Sequence, residues 1–504
     1  MSSELDRESI ADTFFILIAL GAGVGIGIAI GLFDGGATAV RFLKPSLGIG
    51  AAAILTLVAL HQDELVVTLV MLVNLYFEWY LAYQGMTLIL VIFLLGAFFL
   101  NRSPQRPWTQ PRVLWIWALF LTLTILPAIR GAFPTNPYPN VLFDPGTRMA
   151  YPVACWTSEL NHYPDVVFGA FIVFWLGTTL ARGRASIRRF FNLLAVFGVL
   201  IAVHAIIQVA TGITLLGSSD AANFLAIKGG FELGVPGSTG VSRAGSFFIN
   251  PDFTGTFFAL MIFVPLGLFV ESTSFWAKIL HMAEILIMIL ALLFTYTTSA
   301  WLASFVGLLA YVVLVGNARF RFQIILFGSI AAVILLFGFS RQVNLLIQHA
   351  TDPAELSLRK GVWETGLRVI QAFPLTGVGL NNCAYLQVSE RYRAPAQNVP
   401  LDHPHNSYIE WAAMAGIPVL LVFLVLLAAI FWQALYNWKH ANARARSLIG
   451  AGIAVAVVLS FNSWSNQGWT APPLATLGWL LLGTSSSPLL LKEQCDPDTK
   501  KYSL

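Results

Sequence analysis

Charged side chains are scarce in this chain. Only 11% of its 504 residues are Asp, Glu, Lys or Arg, and 57% are hydrophobic. A soluble domain carries about a quarter charged residues, because its surface must be solvated on every side. Mean hydropathy is +0.74, and segments 114–126, 324–337 and 419–430 contain no charge at all. Since about 20 mostly apolar helical residues cross the hydrocarbon core of a bilayer, this pattern predicts a polytopic membrane protein.

Several catalytic and binding motifs are also missing. The sequence has no Walker loop, no HExxH pair and no GxSxG turn, and the glycine-rich run 21–31 lacks the strand and acidic partner of a dinucleotide site. The net charge of +4 comes from short basic clusters and not from a nucleic-acid-binding stripe. No third ligand accompanies His403 and His405 to complete a metal site. We therefore expect no metal, no cofactor and no nucleic-acid partner.

Apolar segments long enough to span a membrane recur along the whole chain. They predict an all-α polytopic membrane fold with about 12–14 transmembrane helices. The expected spans lie near 12–32, 42–60, 64–82, 84–100, 112–130, 164–181, 188–210, 252–271, 276–295, 299–316, 320–340, 407–436, 447–464 and 470–491.

Short basic loops predict the orientation of these spans. Four loops on the same side of the span count contain twelve basic residues and no acid: Arg102, Arg106 and Arg112; Arg182, Arg184, Arg188 and Arg189; Arg319 and Arg321; Lys439, Arg444 and Arg446. By the positive-inside rule this side is cytoplasmic, with both termini inside. Arg41 and Lys44 fall on the other side, and the larger clusters outweigh them.

Three long loops then face outward, at about 131–163, 213–251 and 341–406. The last contains an amphipathic helical stretch, Glu355–Phe373, which we expect to lie on the membrane face. Its predicted apolar residues are Leu356, Leu358, Val362, Leu367 and Ile370. The three cysteines, Cys155, Cys383 and Cys495, show no CxxC spacing. Cys155 and Cys383 both fall in external loops, so pairing between them is one open alternative.

Two histidines stand out in the segment Asp402-His403-Pro404-His405-Asn406-Ser407, just before the apolar run from Ile417. Imidazole accepts a proton near neutral pH, which suits a general base. The competing interpretation is that His403 and His405 cap the next helix and stay solvated. These residues alone leave both interpretations open.

Three cations in the outward loops are candidates for binding a phosphate group. Arg359 and Lys360 lie on the loop helix, and Arg243 closes the preceding external loop. Guanidinium groups bind phosphate through paired hydrogen bonds and suit a diphosphate held at a membrane face. The alternative is that each is an interfacial residue whose charged end reaches toward water.

Four local motifs together resemble the O-antigen ligase and Wzy-polymerase superfamily of bacterial envelope enzymes. In chain order they are Arg243-Ala244-Gly245-Ser246-Phe247 with Asn250-Pro251; Thr297-Thr298-Ser299; Arg359 and Trp363 with Gly377-Val378-Gly379-Leu380-Asn381; and His405-Asn406, nine residues, then Gly416-Ile417-Pro418-Val419. The similarity covers about residues 190–440. It divides the chain into N-terminal helices (1–190), a ligase-like core with the loop 341–406 (190–440), and C-terminal helices with a tail (441–504).

The resemblance implies a fold and an activity. Such enzymes have an architecture like that of C-class glycosyltransferases and are regarded as metal-independent and inverting. They transfer a glycan from undecaprenyl pyrophosphate to an acceptor hydroxyl at the outer face of the cytoplasmic membrane. The implied partners are therefore a lipid-linked glycan donor, a glycan, lipid or protein acceptor, and membrane lipids.

Individual residues take implied roles on the matched motifs. His405 and Arg359 would be catalytic, and Arg243, Arg359 and Lys360 would bind the diphosphate. His403, Asn406 and Asn250 would position donor or acceptor. Family members often carry arginine after the serine of the second motif, where this chain has Ala300. The identity of the second phosphate-binding residue therefore stays open.

Other functions remain as alternatives. A polysaccharide polymerase of the Wzy type, a protein O-oligosaccharyltransferase and a cell-wall polymerase of the SEDS type share the polytopic design and differ from a ligase in acceptor or substrate. A transporter of lipid-linked glycans is an alternative of another class. It would depend on intramembrane charges such as Glu78 and would tolerate loss of His405.

Overall fold

The computed structural model describes part of the chain. The described residues are 113–132, 142–143, 150–151, 163–181, 183–211, 231–232, 242–248, 250–315, 353–397 and 400–490, with isolated positions between 337 and 351. The chain divides into two compact units, 1–108 and 109–504. The first unit, with the four predicted spans between 12 and 100 and Glu78, lies outside the described residues. So does most of the predicted span 320–340.

Helices build the described part of the second unit. Their bounds are α1 Leu114–Ala132, α2 Gly169–Leu180, α3 Arg184–Thr211, α4 Pro251–Met261, α5 Phe263–Glu271, α6 Phe275–Thr295, α7 Thr298–Val315, α8 Pro353–Ala372, α9 Asn382–Ser389, α10 Ser407–Ala415, α11 Ile417–His440, α12 Ala443–Asn462 and α13 Pro472–Ser486. A π-helical turn, Tyr163–Phe168, precedes α2, and 3₁₀ turns occupy Ser246–Phe248 and Glu390–Tyr392. Two antiparallel pairs of two-residue strands complete it: β1 Leu142–Phe143 with β2 Ala150–Tyr151, and β3 Phe231–Glu232 with β4 Ser242–Arg243.

Seven helical segments of the described residues are long and apolar enough to cross a membrane. They are Leu114–Ala132, Arg184–Ala210, Pro251–Glu271, Phe275–Thr295, Thr298–Val315, Ile417–His440 and Ala443–Asn462. Each agrees with a predicted span to within a few residues at its ends, except at one boundary. The all-α polytopic membrane fold is therefore confirmed.

That exception is the predicted span 407–436, which is two helices. The chain breaks at Gly416, whose φ is +93°, between α10 and α11. A Cβ atom at Gly416 would lie 2.4 Å from the carbonyl oxygen of Leu375, so only glycine fits this contact without displacing the neighbouring chain. The spanning helix consequently begins at Ile417, and α10 is a separate short helix that follows the histidines.

The last predicted span, 470–491, is a short helix in the centre of the bundle. Residues 473–486 of α13 are all buried, against α2, α11 and α12. Indole rings fill the space around it: the ring centroids of Trp469 and Trp479 are 4.6 Å apart, and those of Trp117 and Trp479 are 5.0 Å apart. A Cβ atom at Gly177 would lie 2.5 Å from the Leu480 carbonyl oxygen, which shows how closely α2 and α13 approach.

The described basic residues and the predicted motifs lie at opposite ends of the bundle. Arg184, at the start of α3, pairs with Glu271 at the end of α5. At the other end of these helices, Gln208 near the end of α3 binds the loop before α4. On α11, Asn437 near its C-terminus binds the backbone of Ser487, whose hydroxyl donates to the end of α2, whereas His405 and Asn406 come before its N-terminal end.

The predicted loop helix is confirmed as α8, and the face that packs on the rest of the protein was not predicted. Leu356 is 54% exposed and Leu367 is 50% exposed. The buried positions are Gly361, Val362, Thr365, Gly366 and Val369. Glycines on this face allow the backbone of α8 to lie against the segment that leads to His405, and a pattern of apolar residues alone cannot predict such a contact.

Candidate active site

The N-terminus of α4 positions the first arginine of the candidate site. Asn250 caps the helix by accepting from the backbone N–H of Asp252 at 2.8 Å, and Pro251 occupies the first turn. Arg243, at the end of β4, donates to Asp252 Oδ1 at 2.7 Å and to the Thr295 carbonyl oxygen at 2.9 Å. Its side chain is only 11% exposed. Arg243 is therefore a largely buried, ion-paired residue, which favours a role in the site over that of a solvated interfacial arginine.

Helix α3 holds the loop that follows Arg243. The Gln208 side-chain oxygen accepts from the backbone N–H groups of Gly245 at 3.2 Å and Ser246 at 2.8 Å. His204 Nδ1 lies 3.0 Å from the Ser246 hydroxyl. Ser246 has a φ of +43°, a left-handed conformation that is uncommon for serine, so these bonds fix a turn that would otherwise be disfavoured.

The second motif approaches the same ion pair from α7. Thr297 Oγ1 lies 3.0 Å from the Pro251 carbonyl oxygen, 3.2 Å from Asp252 Oδ1 and 3.2 Å from Arg243 Nη2. Ala300, where the family often has arginine, is fully buried. Arg243 thus reaches the segment just before Ala300 from a different part of the chain.

Asp402, His403 and His405 form a connected row of side chains. Asp402 Oδ1 lies 2.7 Å from His403 Nδ1, and His403 Nε2 lies 3.3 Å from His405 Nδ1. The two imidazole centroids are 4.1 Å apart. Asn382, at the start of α9, donates to the other Asp402 oxygen at 3.3 Å. The carboxylate, the two imidazoles and the supporting amide therefore share one hydrogen-bonded arrangement.

Asn406, not either histidine, caps the helix that follows. Its side-chain oxygen accepts from the backbone N–H groups of Tyr408 at 3.0 Å and Ile409 at 3.1 Å. Its amide also donates to the Trp464 carbonyl oxygen at 2.8 Å, which ties this turn to the end of α12. The prediction that Asn406 contacts donor or acceptor stays a prediction, while its capping role accounts for its burial.

His405 itself has an unusual backbone. Its φ is +49°, a left-handed conformation that costs about 1–3 kcal/mol for a non-glycine residue. The neighbouring residues hold it there: Asn406 is anchored as described, and the backbone N–H of Ser407 donates to the Ser463 carbonyl oxygen at 2.9 Å. Strain that is held by flanking bonds is typical of functional sites.

Helix α8 brings Arg359 toward His405. A Cβ atom at Gly366 would lie 2.4 Å from Ile409 Cγ2 and 3.3 Å from Pro404 Cβ, so α8 packs directly on the chain around His405. The charge of Arg359 acts on both His405 and the Asp252 carboxylate, and His405 also acts on Asp252. Arg359, His405 and the Arg243–Asp252 pair therefore belong to one electrostatic cluster. Lys360, at the next helical position, is exposed.

Electrostatics give the two histidines different proton affinities. Burial, and then the neighbouring His403, lower the pKa of His405 to about 3. Burial would also lower the pKa of His403, but the Asp402 carboxylate raises it above the ordinary value. Partial burial would raise the pKa of Asp402, and His403 instead lowers it to about 2. His405 is therefore neutral at physiological pH, and His403 is where positive charge is most stable.

Glu410 lies one turn into α10 and was not predicted from the sequence. It is 1% exposed, and it accepts from Gln467 Nε2 at 3.0 Å and from Thr470 Oγ1 at 2.8 Å. Burial raises the pKa of Glu410 to about 7, and its charge in turn favours protonation of His403. The carboxyl is thus a buried group whose charge acts on the histidine cluster.

Cys383 in α9 is disulfide-bonded. The other two cysteines, Cys155 and Cys495, lie outside the described residues, so the Cys155–Cys383 pairing stays a prediction.

The predicted site residues largely converge. Arg243, Asn250, Arg359, His403, His405 and Asn406 lie on the elements just described. Four residues were not predicted from the sequence: Asp252, Asp402 as a partner of His403, Asn382 and Glu410. Asp252 had a usable signal, because an acidic residue in the first turn directly follows the Asn250-Pro251 cap. Glu410 had no such signal in the sequence, since its partners Gln467 and Thr470 are 57 and 60 residues away.

Comparison with known families agrees with three of the four motifs. The family model described as O-antigen ligase matches residues 283–424, a span narrower than the predicted 190–440. It includes the second, third and fourth motifs, with Arg359 and His405, and excludes Arg243. No curated protein matches the chain. Over residues 283–424, the chain is similar to the O-antigen ligase family, in agreement with the resemblance that its motifs indicated.

Proposed function

We propose that the chain transfers a glycan from an undecaprenyl-pyrophosphate carrier to an acceptor hydroxyl at the outer face of the cytoplasmic membrane. The observation that carries this proposal is the convergence of His405, Arg359 and the Arg243–Asp252 pair from three distant parts of the chain. A base beside guanidinium groups at the end of a helical bundle suits the cleavage of a sugar–diphosphate bond.

In the proposed reaction, the acceptor oxygen attacks the anomeric carbon of the first sugar. The bond from that carbon to the diphosphate breaks, and the lipid diphosphate leaves with the electron pair. His405 takes the acceptor proton, which its neutral state at physiological pH permits. Arg359 stabilises the negative charge that develops on the diphosphate, as metal ions do in many other transferases.

The two arginines have different proposed roles. Arg243 is already neutralised by Asp252 and is largely buried, so it positions the site and offers its remaining donors to the diphosphate. In this way it takes the place of the arginine absent at position 300. Arg359 is half-buried on α8, so we assign it the larger share of diphosphate binding. Lys360 is exposed and contributes a screened, weaker attraction.

Two observations support an external site. The candidate residues lie at the end of the bundle opposite the described basic residues Arg184, Lys439 and Arg446, which the positive-inside rule assigns to the cytoplasm. Cys383 is disulfide-bonded, and disulfides persist in oxidising compartments outside the cytosol. We therefore propose that the active site faces outward, where lipid-linked glycans are presented.

Reconstitution tests the proposal. The purified chain is placed in liposomes with an undecaprenyl-pyrophosphate glycan and, in separate arms, a lipid-sugar acceptor, a second donor glycan or an acceptor protein. We expect transfer to one acceptor, with loss of at least about 100-fold in His405→Ala, since a positioned base supplies roughly 10²–10⁴-fold. Arg359→Ala should lose a comparable factor, because removal of one such donor costs about 10²–10³-fold.

Matched controls come from the same molecule. Arg368→Ala removes another arginine of α8, which pairs with Glu364 on the surface, and His440→Ala removes an exposed histidine at the opposite end of the bundle. Both should keep full activity. Wild-type turnover by His405→Ala would refute the catalytic proposal, and movement of the donor across the membrane without transfer would indicate the transporter instead.

A further inference from the structure

We propose that Asp402, His403 and His405 form a proton relay, in which the acceptor proton enters at His405 and its charge is passed to His403. This inference rests on the proposed transfer function and deepens it. It assigns His403 and Asp402 as positioning residues that act through His405, beyond the donor or acceptor contact expected of His403 from sequence.

The spacing of the ring nitrogens carries the proposal. In the reactive arrangement, His403 Nδ1–H donates to Asp402 across 2.7 Å, and His405 Nδ1–H donates to His403 Nε2 across 3.3 Å. This pattern leaves the lone pair of His405 Nε2 available. When Nε2 takes the acceptor proton, the proton on His405 Nδ1 moves to His403 Nε2. One N–H bond forms at each ring and one breaks at His405, so the relay ends with a neutral His405 and a cationic His403.

The surrounding charges favour this direction of transfer. Two carboxyl groups act on His403: Asp402 on its own loop and Glu410 on α10. His405 feels the opposing charges of Asp252 on α4 and Arg359 on α8, and a smaller effect of Asp402. Accordingly, the pKa of His403 is raised above its ordinary value, while burial and the adjacent His403 lower the pKa of His405 to about 3. A positive charge formed at His405 is therefore more stable after it has moved to the imidazole of His403.

The outer end of the relay reaches water. The side chain of Asp402 is 48% exposed, against 16% for His403. Release of one proton to water from this end restores the neutral pair after the product leaves. Tyr385 of α9, which is buried and feels the charges of Asp402 and Glu410, closes the side of the cluster toward α8.

The relay predicts how activity depends on pH. When the pair already carries a positive charge on His403, that ring donates to His405 Nδ1, and His405 Nε2 then bears hydrogen and cannot act as a base. Transfer should therefore rise with pH, with an apparent pKa above the ordinary histidine value of 6.5, because the controlling proton sits on His403. Removing the Asp402 charge should move this rise to lower pH.

The experiment compares kcat/KM between pH 5 and 9 for wild type, Asp402→Asn and His403→Gln in the reconstituted assay. In Asp402→Asn we expect the maximal rate to fall about tenfold or more and the rise with pH to shift toward acid by about one unit or more. In His403→Gln the rise in the histidine range should disappear, because the glutamine cannot accept the charge. Asp402→Glu should restore the wild-type profile in part. His281→Gln, which breaks a comparable His–carboxylate pair with Glu284, should leave it unchanged.

The outcomes separate the relay from the proposed function. Full turnover by His405→Ala refutes the transfer mechanism and the relay together. If His405→Ala is inactive but Asp402→Asn and His403→Gln keep the wild-type pH profile, whatever their rates, the relay alone is overturned. Thermal unfolding of each variant identifies losses that come from misfolding, and the isosteric Asp402→Asn gives the decisive profile if His403→Gln does not fold.

Discussion

At the scale of single residues, the candidate site combines charges that largely neutralise one another. Arg243 faces Asp252, and His403 faces Asp402. Arg359 acts on Asp252 of the first pair and on His405, which adjoins the second. A dianionic diphosphate therefore meets a site whose pairs hold their own geometry, and Arg359 is the cation best placed to respond to new negative charge. Preorganised charges of this kind need little rearrangement during reaction.

The Arg243–Asp252 pair should stabilise the fold as well as the site. Arg243→Gln leaves the Asp252 carboxylate without the guanidinium, and Asp252→Asn leaves the guanidinium without the carboxylate. Each variant should therefore unfold at a lower temperature than wild type. The double variant should recover part of the loss, with a coupling free energy of about 1–2 kcal/mol for partly buried neighbours. Thermal unfolding in detergent is measured for wild type, the two single variants and the double variant. If the losses of stability in the single variants simply add up in the double variant, the pairing is contradicted.

Residue types and order predicted most of this site, but not its partners. Arg243, Arg359 and His405 were found because their motifs occur in a known order. Glu410 and Asn382 were not, since their roles depend on contacts with Gln467 and Asp402 that only the folded chain creates. Whether the histidines capped a helix or formed a site was also undecidable from sequence. The answer depended on Asn406, whose side chain takes the capping role.

At the scale of elements, close packing of α8 sets the distance between Arg359 and His405. Gly366→Ala would put a Cβ atom 2.4 Å from Ile409 Cγ2, so α8 or the turn at His405 must shift at a cost of about 1–3 kcal/mol. We expect transfer to fall about tenfold or more while helical content is retained, because catalysis is sensitive to displacements near 1 Å.

A compensating change makes this test specific. Ile409→Ala removes the atom that the new methyl group meets, so Gly366→Ala combined with Ile409→Ala should regain much of the lost activity. Gly338→Ala serves as the control, since a Cβ atom there meets no described atom within 4 Å. If the double variant is no more active than Gly366→Ala alone, contact between α8 and α10 does not set the catalytic geometry.

The sequence predicted where the helices lie along the chain, but not what each helix packs against. Hydropathy located the described spans because each must cover about 30 Å of hydrocarbon. It merged α10 with α11, since the break at Gly416 depends on a backbone contact with Leu375 and not on polarity. It also could not distinguish α13, buried inside the bundle, from a helix that faces lipid, because both are equally apolar. The packed face of α8 was missed for the related reason that glycine carries no apolar signal.

At the scale of the whole molecule, the position of the described basic residues and the disulfide bond of Cys383 support the same orientation in the membrane. The candidate site and the basic residues that the structure describes occupy opposite ends of the bundle, and the disulfide-bonded Cys383 belongs to the end with the site. Impermeant-maleimide labelling in spheroplasts tests this arrangement with single added cysteines at two exposed positions, Lys360→Cys on α8 and Ala443→Cys at the start of α12.

We expect position 360 to react in intact spheroplasts and position 443 only after the membrane is disrupted, because positively charged loops are retained in the cytoplasm. Cys383 should react from outside only after reduction, which separates it from the added cysteine in the same sample. The reverse pattern would place His405 in the cytosol, where the disulfide would be reduced and an externally presented donor could not reach the base. Labelling therefore tests the location of the chemistry independently of any measurement of activity.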